Sequence, residues 1–436
     1  MRGLRKRWTA SVLLCMTLCL AGCGEEKIIP EDFKQANCQN IHMNAIAKTD
    51  KGFYYSQNAL GTLGLYYYDV VNGKSMYLCN KPECRHDGDE FCVATSYDYQ
   101  VLETVLYSGS LYINAYEYTE TGYEYKLLRA SLDGSSLSEV VTYFTVDNVN
   151  AEPFVLWDHP RCMTIHRNKA FLPYSLHNAD NTEVGYTGTA IYDMDTKEVT
   201  YLGEKEQDFS VKNCRYLGYG EYMYYVAAQK YKNELYRYSY ADGSVEKMEL
   251  ERGFRGDFAV VDDNTIFYRK METDLCIYHP DTKENIVLDS KEWTGIVKYY
   301  KDHSEAQPHI SITHCGFSDV ITDGEYVYVS ENYSFRDYGG PTMHGIIDTD
   351  CEELDFAEID VFDKEGNFLR GFRLNTEELL GYNDFFTLHF VEDSVYMQTP
   401  AMVFECSKDS FIAGEPKFQE VYPMDIHIMT RKKVEE

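Results

Sequence analysis

Three cysteines and a histidine fall within one short stretch of this sequence, as Cys79, Cys84, His86 and Cys92. Three thiolates and an imidazole are a ligand set for a closed tetrahedral zinc site. Pro82 and Gly88 stand where a loop wrapping a metal must bend. The spacing, C-x4-C-x-H-x5-C, departs from the C-x2-C knuckle. In an oxidising compartment the same cysteines would support one disulfide, with His86 merely exposed. Both readings are structural, because four protein ligands leave no coordination position for water or substrate.

Other stretches offer less chemistry. Asp348, Asp350, Glu352, Glu353 and Asp355 alternate carboxylates in a manner that suits calcium, but the glycine and the twelve-residue spacing of an EF-hand loop are missing. A charge run of this kind is ordinarily a solvated face, so calcium is not expected. No G-x-S-x-G elbow, H-E-x-x-H pair or phosphate-cradling glycine loop occurs. No catalytic residue can therefore be named, and no cofactor is required by the sequence.

The compartment is readable from the start of the chain. Arg2, Arg5, Lys6 and Arg7 precede an apolar run over residues 8–20 that ends Leu20-Ala21-Gly22-Cys23. Charged residues, a short apolar run and small residues before a cut mark a secretory signal. The run falls short of the ~20 residues that span a bilayer. Its ending resembles the bacterial lipobox, which implies cleavage before Cys23 and acylation of its thiol. The expected plan is a signal peptide over 1–22, a lipidated N-terminus and short tether over 23–40, one domain over 41–425, and a tail over 426–436. The protein is thus expected on the extracytoplasmic side of the cell membrane, anchored by lipid. A net charge of −30 argues against nucleic-acid partners and favours a self-repelling, monomeric chain. Cys38, Cys162, Cys214, Cys276, Cys351 and Cys406 show no local pairing pattern, and several are expected as buried apolar residues.

The elements that must position any site come from an internal repeat. A turn residue or two followed by alternating aromatic and aliphatic positions recurs seven times: at Lys51-Gly52-Phe53-Tyr54-Tyr55, at Gly109-Ser110-Leu111-Tyr112-Ile113 and at Asn168-Lys169-Ala170-Phe171-Leu172. It returns at Gly220-Glu221-Tyr222-Met223-Tyr224, Asn264-Thr265-Ile266-Phe267-Tyr268, Gly324-Glu325-Tyr326-Val327-Tyr328 and Asp393-Ser394-Val395-Tyr396-Met397. Each is preceded by a short apolar run and followed by a second hairpin signalled by Asp, Asn or Gly. The sequence thus predicts an all-β chain of seven four-stranded antiparallel meanders, which must stack to bury both faces. This pattern resembles the β-propeller lipoproteins of bacterial envelopes, broadly like TolB and WD40 propellers in shape, although no WD or kelch signature is present. The Cys/His stretch is similar to one found after the first blade in clostridial-type surface lipoproteins.

In such a blade, with strands a to d, b–c loops and d–a connections emerge on one face and the tight a–b and c–d turns on the other. Residues 79–98 and 291–309 are expected as d–a connections, and 175–189 and 331–356 as b–c loops, all on the same face. Tyr186, Trp293, Tyr299, Tyr300, His303, Tyr333, Arg336, Tyr338 and His344 are its expected contact residues, because long loops on a rigid scaffold carry function and Tyr and Arg suit binding hot spots. The sequence favours a membrane-anchored protein that binds a protein, peptide or glycan there. The alternative is an extracytoplasmic enzyme acting on glycans or peptides at the channel mouth, since residues converging from several blades leave no local motif. A scaffold that assembles envelope proteins is a third reading.

Overall fold

All seven turn-led motifs form the second strand of a four-stranded antiparallel blade. The computed structural model describes residues 36–37, 47–49, 51–59, 62–69, 71–86, 92–96, 99–147, 163–177, 184–202, 215–229, 232–270, 274–288, 310–314, 319–337, 352–374, 386–391, 393–398 and 402–423. After a short strand β1 (Ala36–Asn37), blade 1 comprises β2 (Ala47–Lys48), β3 (Gly52–Ala59), β4 (Thr62–Asp69) and β5 (Lys74–Tyr77), with β6 (Thr95–Ser96) also on β4. Blade 2 is β7 (Tyr99–Tyr107), β8 (Ser110–Tyr118), β9 (Gly122–Ala130) and β10 (Leu137–Asp147); blade 3 is β11 (Thr164–His166), β12 (Lys169–His177), β13 (Val184–Asp193) and β14 (Val199–Leu202). Blade 4 is β15 (Tyr216–Tyr219), β16 (Tyr222–Gln229), β17 (Lys232–Ser239) and β18 (Val245–Lys247); blade 5 is β19 (Phe254–Asp262), β20 (Thr265–Lys270), β21 (Asp274–His279) and β22 (Glu284–Val287). Blade 6 holds β23 (Ile310–His314), β24 (Asp319–Thr322), β25 (Tyr326–Asp337), β26 (Glu352–Asp363) and β27 (Phe368–Leu374). Blade 7 is β28 (Thr387–Val391), β29 (Ser394–Gln398), β30 (Met402–Ser407) and β31 (Gln419–Pro423), with one helical turn, α1 (Lys408–Ile412), between its last two strands. First strands meet from blade to blade, β7 against β11, β11 against β15, β15 against β19 and β19 against β24, and so line the ring interior. The chain is a seven-bladed β-propeller.

The two-residue period of a strand explains why each motif alternates so strictly, because odd and even positions serve different neighbours. In β8, Leu111, Ile113 and Ala115 pack toward blade 1 whereas Tyr112 and Tyr116 pack toward blade 3. In β20, Ile266 and Tyr268 face blade 4 and Phe267 faces blade 6. The same division gives every junction its own buried cluster, including the last, where Phe53, Tyr55 and Tyr68 of blade 1 meet Tyr396 and Val403 of blade 7. Tyrosine suits these junctions because a buried ring can carry its hydroxyl to the next blade. The Tyr54 hydroxyl donates to the Leu132 carbonyl at 3.0 Å, that of Tyr107 to Asn168 Oδ1 at 2.9 Å, and that of Tyr201 to the Tyr143 carbonyl at 2.7 Å.

Several aspartates are held in the turns. Asp69 Oδ1 accepts the amides of Val71 and Asn72, Asp193 Oδ1 those of Asp195 and Thr196, and Asp363 Oδ1 those of Glu365 and Asn367. Side-chain acceptance of this kind is why Asp favours turns.

Three local expectations differ from the structure. Residues 79–98 do not simply lead from one blade to the next. Leu78 donates its amide to the Leu65 carbonyl at 2.9 Å and Leu65 donates its own to the Ala94 carbonyl at 2.8 Å, after which β6 pairs with Leu63 and Gly64. The fourth strand of blade 1 is thus split, and the Cys/His stretch is an insertion at the outer edge. The two b–c loops are also shorter than expected. β12 runs to His177 and β13 starts at Val184, while β25 and β26 reach Asp337 and Glu352. Register sets Tyr333 opposite Phe356 and Arg336 opposite Glu353, cross-strand pairings that extend a ladder. Finally, Ala36 and Asn37, expected in the tether, pair antiparallel with Gly218 and Leu217 on the channel-side edge of blade 4. Among the described residues no helix is long and apolar enough to cross a membrane.

Candidate functional site

The insertion in blade 1 leaves and re-enters the core at fixed points. Leu78 and Val93 are buried with Val101, Leu111, Ile113 and Leu128 of blade 2, so both roots of the loop are held in the junction. Between them Asn80, Lys81, Pro82, Glu83 and Arg85 are exposed. The Cys84 amide closes a turn onto the Lys81 carbonyl at 3.1 Å, and the Asn80 amide reaches the Gly134 carbonyl of blade 2 at 3.4 Å. His86 takes a left-handed conformation (φ 55°), which turns its ring onto Tyr77 with centroids 4.4 Å apart. Few non-glycine residues accept that region without a local reason.

These constraints bring Cys79, Cys84, His86 and Cys92 together. One ligand atom from each lies within 4.8 Å of all the others, and His86 Nδ1 stands 3.4 Å from Cys92 Sγ. Cys79, Cys84 and His86 are half-buried and Cys92 is buried. The Cys84 thiol is pulled down by the His86 backbone amide, but burial and the neighbouring thiols of Cys92 and Cys79 outweigh this and raise it to about 11. Burial works against the Cys92 thiolate, yet hydrogen bonds from Thr95, His86 and Cys84 bring its pKa down to about 6. The arrangement is chemically a set of soft ligands converging on one point.

Three of the residues expected on the binding face fall on described strands. Tyr186 lies on β13 opposite Leu176, and Tyr333 and Arg336 lie on β25, where β23 pairs with its far half through His314 and Ser311. Trp293, Tyr299, Tyr300, His303, Tyr338 and His344 lie outside the described residues, as do Cys23 and the acidic stretch from Asp348 to Cys351. Of the cysteines without a local pattern, Cys276 and Cys406 are buried core residues whose thiols burial pushes up to about 11 and about 12. Cys38, Cys162, Cys214 and Cys351 lie outside the described residues.

No family model matches the chain, and no curated protein is similar to it. Solved structures that resemble it include an oligogalacturonate lyase in complex with manganese (11% identity, 67% of this chain and 74% of that one, TM-score 0.40). A post-proline cleaving enzyme from Rickettsia typhi matches 88% of this chain and 54% of its own at 11% identity and TM-score 0.43. BamB from Moraxella catarrhalis matches 84% and 94% at 11% identity and TM-score 0.35. Likenesses this distant concern the fold alone.

Two features of the ring had no sequence signal. Arg215, just before β15, places Nη1 2.5 Å from Asp319 Oδ1 and donates from Nη2 to the Val320 carbonyl at 3.0 Å, so blade 4 is tied to blade 6. Asp323, in the turn before β25, accepts from Lys408 of blade 7 at 2.7 Å. Their partners are about a hundred residues away in one case and almost as far in the other, and nothing local marks either.

Proposed function

We propose that this chain is a lipid-anchored, non-catalytic propeller on the extracytoplasmic side of the membrane, holding a protein or peptide partner on the face of its b–c connections. The long β25–β26 hairpin of blade 6 carries the reading. With twelve residues in each strand and β23 alongside, it is the longest hairpin among the described residues, and Tyr333 and Arg336 stand on it. A rigid ladder presents contact residues at lower entropic cost than a loop of the same length would. The ring interior supports a rim rather than a deep pocket, since β1 occupies the inner edge of blade 4 and Arg215 reaches across to blade 6. The Leu20-Ala21-Gly22-Cys23 ending supports the anchor.

Photo-crosslinking in cells tests the face. A benzophenone side chain at position 333 or 336 should give one discrete protein adduct, and one at Ser244, exposed on the opposite turn of blade 4, should give none. No adduct from 333 or 336, or the same adduct from all three, would refute the proposed face. Cys23→Ala tests the anchor: an uncut precursor is expected, and normal maturation with membrane retention would remove the lipid from the reading.

A further inference from the structure

We propose that Cys79, Cys84, His86 and Cys92 bind one structural zinc ion, which pins the insertion of blade 1 against its own edge and the adjoining turn of blade 2. The four ligand atoms already lie within 4.8 Å of one another. A tetrahedral centre with Zn–S near 2.3 Å and Zn–N near 2.0 Å has S···N edges of about 3.5 Å and S···S edges of about 3.8 Å. The 3.4 Å between His86 Nδ1 and Cys92 Sγ matches the first of these. A disulfide would engage two of the three thiols and leave the third, and the left-handed turn that aims His86 inward, without purpose.

The energetic need is local. Asn80, Lys81, Pro82, Glu83 and Arg85 are exposed, so this first half of the loop gains little from apolar burial and needs another source to offset its ordering entropy. Its roots at Leu78 and Val93 are buried, and the cluster is the cross-link between them. Soft thiolates select zinc over magnesium or calcium. On binding, all three cysteines coordinate as thiolates, any thiol proton still held passing to solvent, and the neutral imidazole donates through Nδ1, its proton resting on Nε2. No electron is transferred, and the filled centre carries one net negative charge. With four protein ligands the ion has no open position, so it stabilises and does not catalyse.

The test uses the whole mature chain purified with its thiols protected. Elemental analysis should find one zinc per chain, and a chelator in mild acid should release it, since protons compete for thiolate ligands. His86→Ala and Cys84→Ser should each lower the bound zinc several-fold while the propeller still folds, as judged by strand content. Cobalt titrated into the stripped wild-type chain needs no variant: tetrahedral ligand-field bands with thiolate charge transfer should saturate at one equivalent. A chain without zinc in which thiol counting finds two of the three cysteines oxidised, or a cobalt titration without those bands, would overturn the proposal.

Discussion

Gly134 presses against Cys79 across the junction of blades 1 and 2. It sits at φ +68° in the blade 2 turn, and a Cβ there would stand 2.6 Å from the Cys79 amide nitrogen and 2.7 Å from the Leu78 carbonyl oxygen. Both partners are backbone and neither can swing aside. Gly134→Ala should therefore displace the root of the Cys/His insertion while leaving the ladder of blade 2 paired. The left-handed conformation costs alanine about 1 kcal/mol, and the clash adds to it. The expected outcome is a lowered unfolding midpoint together with faster reaction of Cys79 and Cys84 toward a thiol reagent in the metal-free chain. Unchanged thiol reactivity would show that the two loops do not constrain each other.

Asp323 ties blade 6 to blade 7 and gives the fold an acid limit. Its carboxylate is 3% exposed, accepts the Glu325 and Tyr326 amides at 2.9 and 2.7 Å and the Tyr328 hydroxyl at 2.9 Å, and stands 2.7 Å from Lys408 Nζ. Burial raises its pKa, but Lys408 and these donors outweigh burial and hold it below the ordinary carboxylate range. A lowered folded pKa means that the stabilisation is fully present above the unfolded value, about 3.9, and is lost as pH falls through the folded value. Asp323→Asn should cost about 3 kcal/mol near neutrality, because it strands the Lys408 ammonium. Urea midpoints followed from pH 7 down to pH 2 should keep a constant gap to about pH 4 and then draw together as pH falls toward the lowered pKa of the wild-type carboxyl. A gap that stays constant over that range would rule out the charge as its cause.

The blades were legible because the junctions need what the motifs display. A strand that serves two neighbours must alternate, as Leu111-Tyr112-Ile113 does, and a turn-led alternation repeated seven times has few other solutions. The Cys/His cluster was legible for a similar reason, since its four members are close in sequence. Its position was not, because Thr95 and Ser96 pair with Gly64 and Leu63 through a ladder too short to show a pattern. The blade 6 hairpin read as a loop because Ser334, Arg336 and Asp355 interrupt the apolar run, and only the register opposite Phe356 and Leu354 turns those interruptions into one side of a strand. β1 carries no strand pattern of its own, as Ala36 and Asn37 borrow their conformation from the edge of β15.

At the junction of blades 1 and 7, where the ring closes, blade meets blade through packed side chains. Phe53, 3% exposed, meets Tyr396 edge to face at 5.5 Å, with Tyr55, Tyr68 and Val403 around them. Among the described residues no backbone ladder joins these blades, and the packing there helps to offset the entropy of holding the two ends of the domain together. Phe53→Ala should cost about 3–5 kcal/mol through lost burial and the cavity left behind. Tyr396→Ala should cost a similar amount, and the double variant less than their sum, by the ~1 kcal/mol that an edge-to-face pair contributes beyond its area. Because every blade leans on two others, denaturant unfolding should remain one cooperative transition with its midpoint lowered. A separate early transition would mean that blades 1 and 7 part before the rest of the ring unfolds. Strict additivity, or a cost near zero for Phe53→Ala, would place closure elsewhere than in this aromatic pair.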